Sequence, residues 1–169
     1  MIITQNTVLT IKTMDTSMCR DVWQNSLDED NRRFVPDEVF ETIEDAKEVI
    51  DFIIQSYDTK EGPFIYAVTR NEDDANIGYV QLIKIDDGWE IGYHIAKRFT
   101  GHGYATTAVK LFLDYIKNKT DLKEIIGIAL ADNKASVRVL EKCGFSTVFV
   151  GAGPYQGKQR NIVKTIKRL

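Results

Sequence analysis

Polar and apolar positions change period several times along this chain, and each change predicts an element. Near the start, Leu9 and Ile11 alternate with Thr10 and Lys12. That is the period-two pattern of a half-buried strand, so "NTVLTIKT" is expected to be the first strand. In "DTSMCRDVWQNSL", Met18, Val22 and Leu27 fall near helical spacing, whereas the polar "DEDNRRFVP" ends at Pro36 and reads as a loop. A second helix is predicted over "TIEDAKEVIDFIIQSY": Thr42 can cap it with Asp45 three residues on, and Ile43, Ala46, Val49, Ile50, Phe52 and Ile53 largely follow a helical period. The runs "FIYAVTR", "NIGYVQLIKI" and "WEIGYHIA" are rich in β-branched and aromatic residues and are separated by the polar turns "NEDDA" and "DDG". They predict an antiparallel meander.

Beyond the meander, Ala105, Ala108, Val109, Phe112 and Ile116 mark one apolar face of a helix that covers the sheet. "LKEIIGIALA" reads as a fully buried strand, and "NKASVRVLEKCGF" as a short helix capped at Asp132 or Asn133 and stopped by Gly144. "STVFVG" and "RNIVKTIKRL" form a final strand pair around the turn-prone "AGPYQGKQ". The expectation is one α+β domain over residues 1–169, its mixed sheet containing a strand-helix-strand crossover between two central strands.

Composition narrows the function classes. The 169 residues are 43% hydrophobic and 28% charged, with a formal charge of -3, so no basic field favours nucleic acid or anionic membrane. Neither is an expected partner. The start lacks a basic region followed by a continuous apolar run, and "IIGIALA" is too short to span a bilayer, so a cytoplasmic location is expected. Cys19 and Cys143 are far apart with no histidine beside them, which reads as packing rather than a disulfide or zinc site.

The chemistry concentrates where "EIGYHIAKRFTGHGYATTAV" turns from strand to helix through Gly101-His102-Gly103. A helix start offers unpaired N–H groups and the positive end of the helix dipole, and glycine lets the backbone approach an anion. The amides of residues 101–106 could surround a pyrophosphate, with His102 or Arg98 adding charge at the rim; a tight strand-to-helix turn is the alternative. No GK[ST] follows, and Thr106 stands where a dinucleotide fingerprint needs its third glycine.

Together with the later "ADNKASVRVLEKCGF", this stretch resembles the acetyl-CoA-binding core of the GNAT superfamily of N-acetyltransferases, closest to the RimJ/RimL type that acetylates ribosomal-protein N-termini. The resemblance implies a sheet splayed into a V, and a cytoplasmic enzyme that passes acetyl from acetyl-CoA directly to an amine. Two frames fit the family's pyrophosphate motif: Arg98-x-x-Gly101-x-Gly103, and Thr100-x-x-Gly103-x-Ala105, the second placing the helix start better. The implied cofactor contacts are backbone at Ile95, Ala96 and Lys97 for the pantetheine arm, and Gly101, His102, Gly103, Tyr104, Ala105 and Thr106 for the pyrophosphate. Asn133 is implied to bond the pantetheine amides besides capping its helix, and an N–H near Tyr93 to Ile95 to polarise the thioester carbonyl.

Ser136 shares a helical face with Val139, Leu140 and Cys143; the resemblance implies a general acid toward the departing thiolate, whereas the residue pattern alone favours a small residue at a helix-sheet contact. Glu90 and His94 lie on one strand face with Gly92 between them, which leaves room for an amine and makes both candidate bases; a surface ion pair is the other reading of Glu90. Tyr155 lies on the hairpin that the resemblance places on the acceptor side, or else packs its turn. Arg138 and Lys142, at i and i+4, suit either the CoA 3′-phosphate or solvent. No metal is required. The acceptor is a protein N-terminal amine or a small molecule such as a polyamine, amino acid or aminoglycoside, the alternative function is a non-catalytic acyl-CoA sensor, and a monomer or homodimer is expected.

Overall fold

Eight strands account for the sheet in a computed structural model that describes residues 1–169. They are β1 (Ile2–Gln5), β2 (Leu9–Thr13), β3 (Phe64–Arg70), β4 (Asn76–Ile85), β5 (Gly88–Ile95), β6 (Glu124–Leu130), β7 (Ser146–Tyr155) and β8 (Lys158–Arg168). Their spatial order is β1-β2-β3-β4-β5-β6-β8-β7. All neighbours are antiparallel except β5 and β6. The meander is as the β-branched and aromatic runs and their polar turns predict, and the crossover joins the adjacent parallel strands β5 and β6 inside the sheet.

Five helices flank it: α1 (Cys19–Ser26), α2 (Glu29–Phe34), α3 (Ile43–Ser56), α4 (Tyr104–Lys119) and α5 (Lys134–Lys142). The α4 stripe of Ala108, Val109, Phe112 and Ile116 is fully buried and packs with Leu9, Val68, Val80 and Leu140 on one face of the sheet. Ile50 and Ile53 of α3 join Met14, Met18 and Cys19 in a smaller core on the other face. Thr42 and Asp45 form the expected capping box at the start of α3. Asn133 caps α5, its side chain accepting the Ser136 N–H at 3.1 Å.

Three local readings change. Residues 29–34, expected as loop, form α2. This helix has no apolar stripe to announce it; it is held by tertiary contacts, with Asn31 buried, Arg32 bonded to Glu41, and Arg33 bonded to Asp132 across the molecule. An additional strand, β1, precedes the expected first one and pairs with it at the sheet edge. The last two strands run longer than predicted and meet at Gln156-Gly157, both with positive φ, as a two-residue primed hairpin turn requires.

Candidate active site at the sheet opening

The parallel pair β5 and β6 is joined at only two positions, Glu90 with Ile126 and Ile91 with Gly127. Beyond Ile91 each strand keeps its other neighbour, β5 pairing with β4 as far as Ile95 and β6 with β8 as far as Leu130. A V therefore opens between Gly92–Ile95 and Ile128–Leu130. The Ala96 N–H donates to Ile77 O at 2.9 Å, so backbone alternation turns the amides of His94 and Gly92 toward β4 as well. The amides of Tyr93 and Ile95 point into the V. Of the three residues expected to offer backbone to a ligand, Ile95 retains its N–H; that of Ala96 is taken by β4, and that of Lys97 donates to Asp28 Oδ2.

At the mouth of the V the chain passes through Gly101 (φ 84°) and Gly103 (φ 78°) into α4. Gly103 is the N-cap, no side chain caps the helix, and its first backbone bond runs from Thr107 N–H to Gly103 O. The amides of Tyr104, Ala105 and Thr106 have no intrahelical partner, and a Cβ added at either glycine would meet nothing within 4 Å. Open space in front of orphan amides at the positive end of a sixteen-residue helix fits a pyrophosphate. His102 sits at the rim, Nδ1 2.9 Å from Thr100 O and its ring stacked on Tyr104. Arg138 and Lys142 are exposed.

A cavity of about 640 Å³ fills the V, and Glu90, His94, Ile95, Ala105, Asn133, Ser136 and Tyr155 all line it. Ser136 approaches from α5, on the α4 side of the sheet. Its Oγ is 2.9 Å from Tyr93 Oη, which also reaches the Ser136 carbonyl oxygen at 2.8 Å. Burial raises the Tyr93 phenol far above its ordinary value, so it stays protonated and can donate. The single Tyr93 hydrogen goes to the Ser136 carbonyl oxygen, so the serine hydroxyl donates to Tyr93 Oη and has to turn from it to offer its hydrogen to the V. Tyr93 was expected to contribute only backbone; its side chain is the serine's holder.

Glu90 and His94 lie on the opposite sheet face, with Gly92 between them, but the space above Gly92 is filled. The Gln81 side chain lies there, its Nε2 2.4 Å from where a Gly92 Cβ would stand. Lys164 pairs with Asp87, at 2.7 Å, rather than with Glu90. Burial pushes the Glu90 carboxyl up to about 7, with Lys164 opposing weakly. His94 Nε2 is 3.7 Å from Asp28 Oδ2. Burial alone would raise the Asp28 carboxyl, but the neighbouring His94 imidazole and the Lys97 amide that donates to it, with Arg98 nearby, hold it below the usual range. Asp28 and Asp30, which bonds Lys97 Nζ at 2.7 Å, fasten α2 to the end of β5.

Glu38 was not singled out by the sequence, where it is one of several acidic residues in "PDEVFETIED". It lines the same cavity, and burial pushes its carboxyl up to about 7, with Asp37 and Glu90 adding and a Gln81 hydrogen bond opposing. Its Oε2 is buried without a partner. Tyr155 completes the group: burial first, then Glu38 and Glu90, push its phenol up to about 12. A neutral hydroxyl therefore faces two carboxyls that ionise near neutrality. No group of three or more His, Cys, Asp or Glu is placed to hold a metal. Both cysteines are free and buried.

The raised Glu38 value carries a stability consequence. The unfolded carboxyl ionises near 4.5 and the folded one near 7, so between those values the folded chain holds the extra proton and stability falls as pH rises. The rise corresponds to on the order of 3 kcal/mol at full ionisation. Glu38→Gln should therefore melt several degrees above wild type at pH 8, with the gap closing near pH 4.5; a gap independent of pH in thermal melts would contradict the assignment.

Comparison with known proteins adds an independent line. The model of the acetyltransferase (GNAT) domain family matches residues 9–146. Probable N-acetyltransferase YjcK of Bacillus subtilis (strain 168) is 36% identical over 90 residues, which is 51% of this chain and 50% of that protein, so the match spans only half of the relative's length. Among solved structures, an acetyltransferase (GNAT family) from Bacillus anthracis superposes with a TM-score of 0.84 at 20% identity, over 99% of this chain and 98% of that one. RimL, the ribosomal L7/L12 alpha-N-protein acetyltransferase, in complex with coenzyme A, gives 0.83 at 17% identity, over 100% and 98%. No helix is long and apolar enough to cross a membrane.

Proposed function

The chain belongs to the GNAT acetyltransferase family, and from that premise we propose that it moves an acetyl group from acetyl-CoA to a primary amine by direct transfer. One observation carries the reading: the parallel strands separate after two residue pairs, and the gap lies between an uncapped helix N-terminus on one side and Ser136 and two half-buried glutamates on the others. The α4 amides and Gly103 would hold the pyrophosphate, and the backbone of Ile95 and the Asn133 side chain the pantetheine arm. Acetyl-CoA supplies the activated thioester.

The residues divide the proton work. An incoming ammonium must lose a proton, and Glu90 and Glu38, with carboxyls near 7, are matched to accept it at neutral pH. His94 beside Asp28 is the third group on that face. Ser136, its hydroxyl turned from Tyr93, gives a proton to the departing sulfur from the other face. The Tyr93 and Ile95 amides face the position where a carbonyl oxygen gains charge.

The preferred acceptor is the α-amine of a protein or peptide, the chemistry named for RimL. A small-molecule amine is the second reading, favoured by the unpaired carboxyls lining the cavity, which attract any cationic amine. Acetyl-CoA-dependent thiol release should be measured against ribosomal-protein N-terminal peptides, polyamines, amino acids and aminoglycosides, beside a calorimetric titration with coenzyme A. Transfer to a peptide amine supports the first acceptor, and transfer to small amines alone moves the assignment to the second. Ser136→Ala should lower kcat by about 10²-fold or more, within the range ascribed to general acid-base groups, with coenzyme A affinity nearly unchanged; an unaltered rate removes Ser136 from the chemistry.

A further inference from the structure

A second cavity of about 220 Å³ lies against the first, on the α1 and α3 side of the sheet. Asn31, Glu38, Tyr79, Gln81 and His94 line both. Its body is apolar, walled by Met14, Val22, Phe40, Val49, Ile53 and Ile65. We propose that this cavity receives the substituent beside the reacting amine. The acceptor is then an α-amine whose neighbouring side chain is a branched aliphatic or a single aromatic ring. The proposal rests on the acetyl-transfer reading for the reaction, but its own basis is the shape and chemistry of this space.

Protein interiors hold few voids larger than a water molecule, and an apolar cavity of roughly 150 Å³ is enough to bind benzene. The space here is larger than that, yet below the roughly 300 Å³ at which pockets for whole small ligands begin. It suits a side chain. Two buried acceptor oxygens on its wall have no partner: Asn25 Oδ1 and Glu38 Oε2. Asn25 is only 3% exposed, and its Nδ2 is committed to Asn76 O at 3.0 Å and Asn76 Oδ1 at 3.2 Å, so Oδ1 is the atom left over. A buried acceptor without a donor is costly; an amine removes that cost at Glu38 Oε2, whereas an apolar substituent brings no donor to Asn25 Oδ1.

Glu38 stands at the junction of the two cavities. An amine placed there gives Oε2 its missing donor and keeps its nitrogen in the larger cavity with Glu90 and Ser136, while the adjacent substituent enters the apolar space. Gln81, which lines both cavities with Glu38 and lies over Gly92, forms the partition. A polyamine fits less well: beyond Glu38, a second ammonium in the smaller cavity would find the neutral acceptor Asn25 Oδ1 but no carboxylate other than the exposed Asp37.

The test uses phenylalaninamide, leucinamide and glycinamide, which share an α-amine and differ in side chain. Each is titrated calorimetrically into the whole protein, with and without saturating coenzyme A, and into Val22→Phe and Val49→Phe, which fill the cavity from two different helices. Phenylalaninamide and leucinamide should bind at least about tenfold tighter than glycinamide. That advantage should shrink to within about twofold in the filled variants, with melting temperature and coenzyme A titration reporting that each variant is folded. Glycinamide binding as tightly as the others, or an advantage that survives in a folded filled variant, overturns the proposal. Failure of the acetyl-transfer reading appears separately, as absence of coenzyme A binding, and leaves the amide titrations without coenzyme A to judge the pocket.

Discussion

Gly103→Glu is expected to weaken coenzyme A binding by at least about 100-fold, roughly 2.7 kcal/mol, while the protein stays folded. Gly103 has φ 78° and is the N-cap of α4. A side chain there meets no protein atom within 4 Å, so the fold loses no packing. It bears only the left-handed backbone penalty, about 1–2 kcal/mol. The same open space is what the phosphates would occupy, and a carboxylate projecting into it opposes them by both bulk and charge. Gly103→Ala carries the backbone penalty with little of the rest and separates the two causes. Calorimetric titration of both variants decides the matter: full affinity in Gly103→Glu would mean that the pyrophosphate does not lie on these amides.

Gly78→Ala is expected to have the largest effect on stability, about 4 kcal/mol or more, in the range reserved for a forced backbone shift or a buried clash. Gly78 pairs with Ile95 at the end of the β4 and β5 ladder and has φ 156°. A Cβ would stand 1.9 Å from the His94 carbonyl oxygen and 2.9 Å from its carbon. Backbone on backbone leaves no side chain to yield. The ladder must open at the very residues that border the V, so urea unfolding should show a lower midpoint and acetyl transfer should fail together with it. A midpoint equal to wild type would show that β4 and β5 can separate here without cost.

Much of this arrangement is legible in local pattern. Runs of β-branched and aromatic residues between polar turns set the limits of β3 and β4; Thr42 and Asp45 set the start of α3, because a cap is a bond between residues three apart. The glycine junction, Asn133 and Ser136 are likewise short motifs, and the structure brings Asn133 and Ser136 to one cavity with Thr100 and Ala105, which flank the glycines. What escaped depends on distant partners. Helix α2 is polar all round and owes its place to Asp132, Glu41 and the β5 terminus. The Ala96 and Lys97 amides were spoken for by Ile77 and Asp28, a matter of register and not of residue type. The gap foreseen above Gly92 is occupied because Gln81 stands opposite it in the ladder. Glu38 looks like any surface glutamate until the turn after α2, of which it is the last residue, sets it on the cavity wall with Tyr79 and Gln81. Tyr93 was read by its backbone, though strand alternation already set its ring on the face opposite Glu90.

The two-pair junction of β5 and β6 has a bearing on cooperativity. It leaves the sheet as five strands and three strands joined chiefly by a short seam and the α4 crossover. Such a molecule has a built-in line of weakness, along which partial opening costs less than global unfolding. Anything lying in the V touches both parts and acts as a splint. Occupancy of the cleft and unity of the fold are then one thermodynamic quantity, and stability rises with the logarithm of ligand concentration above its dissociation constant.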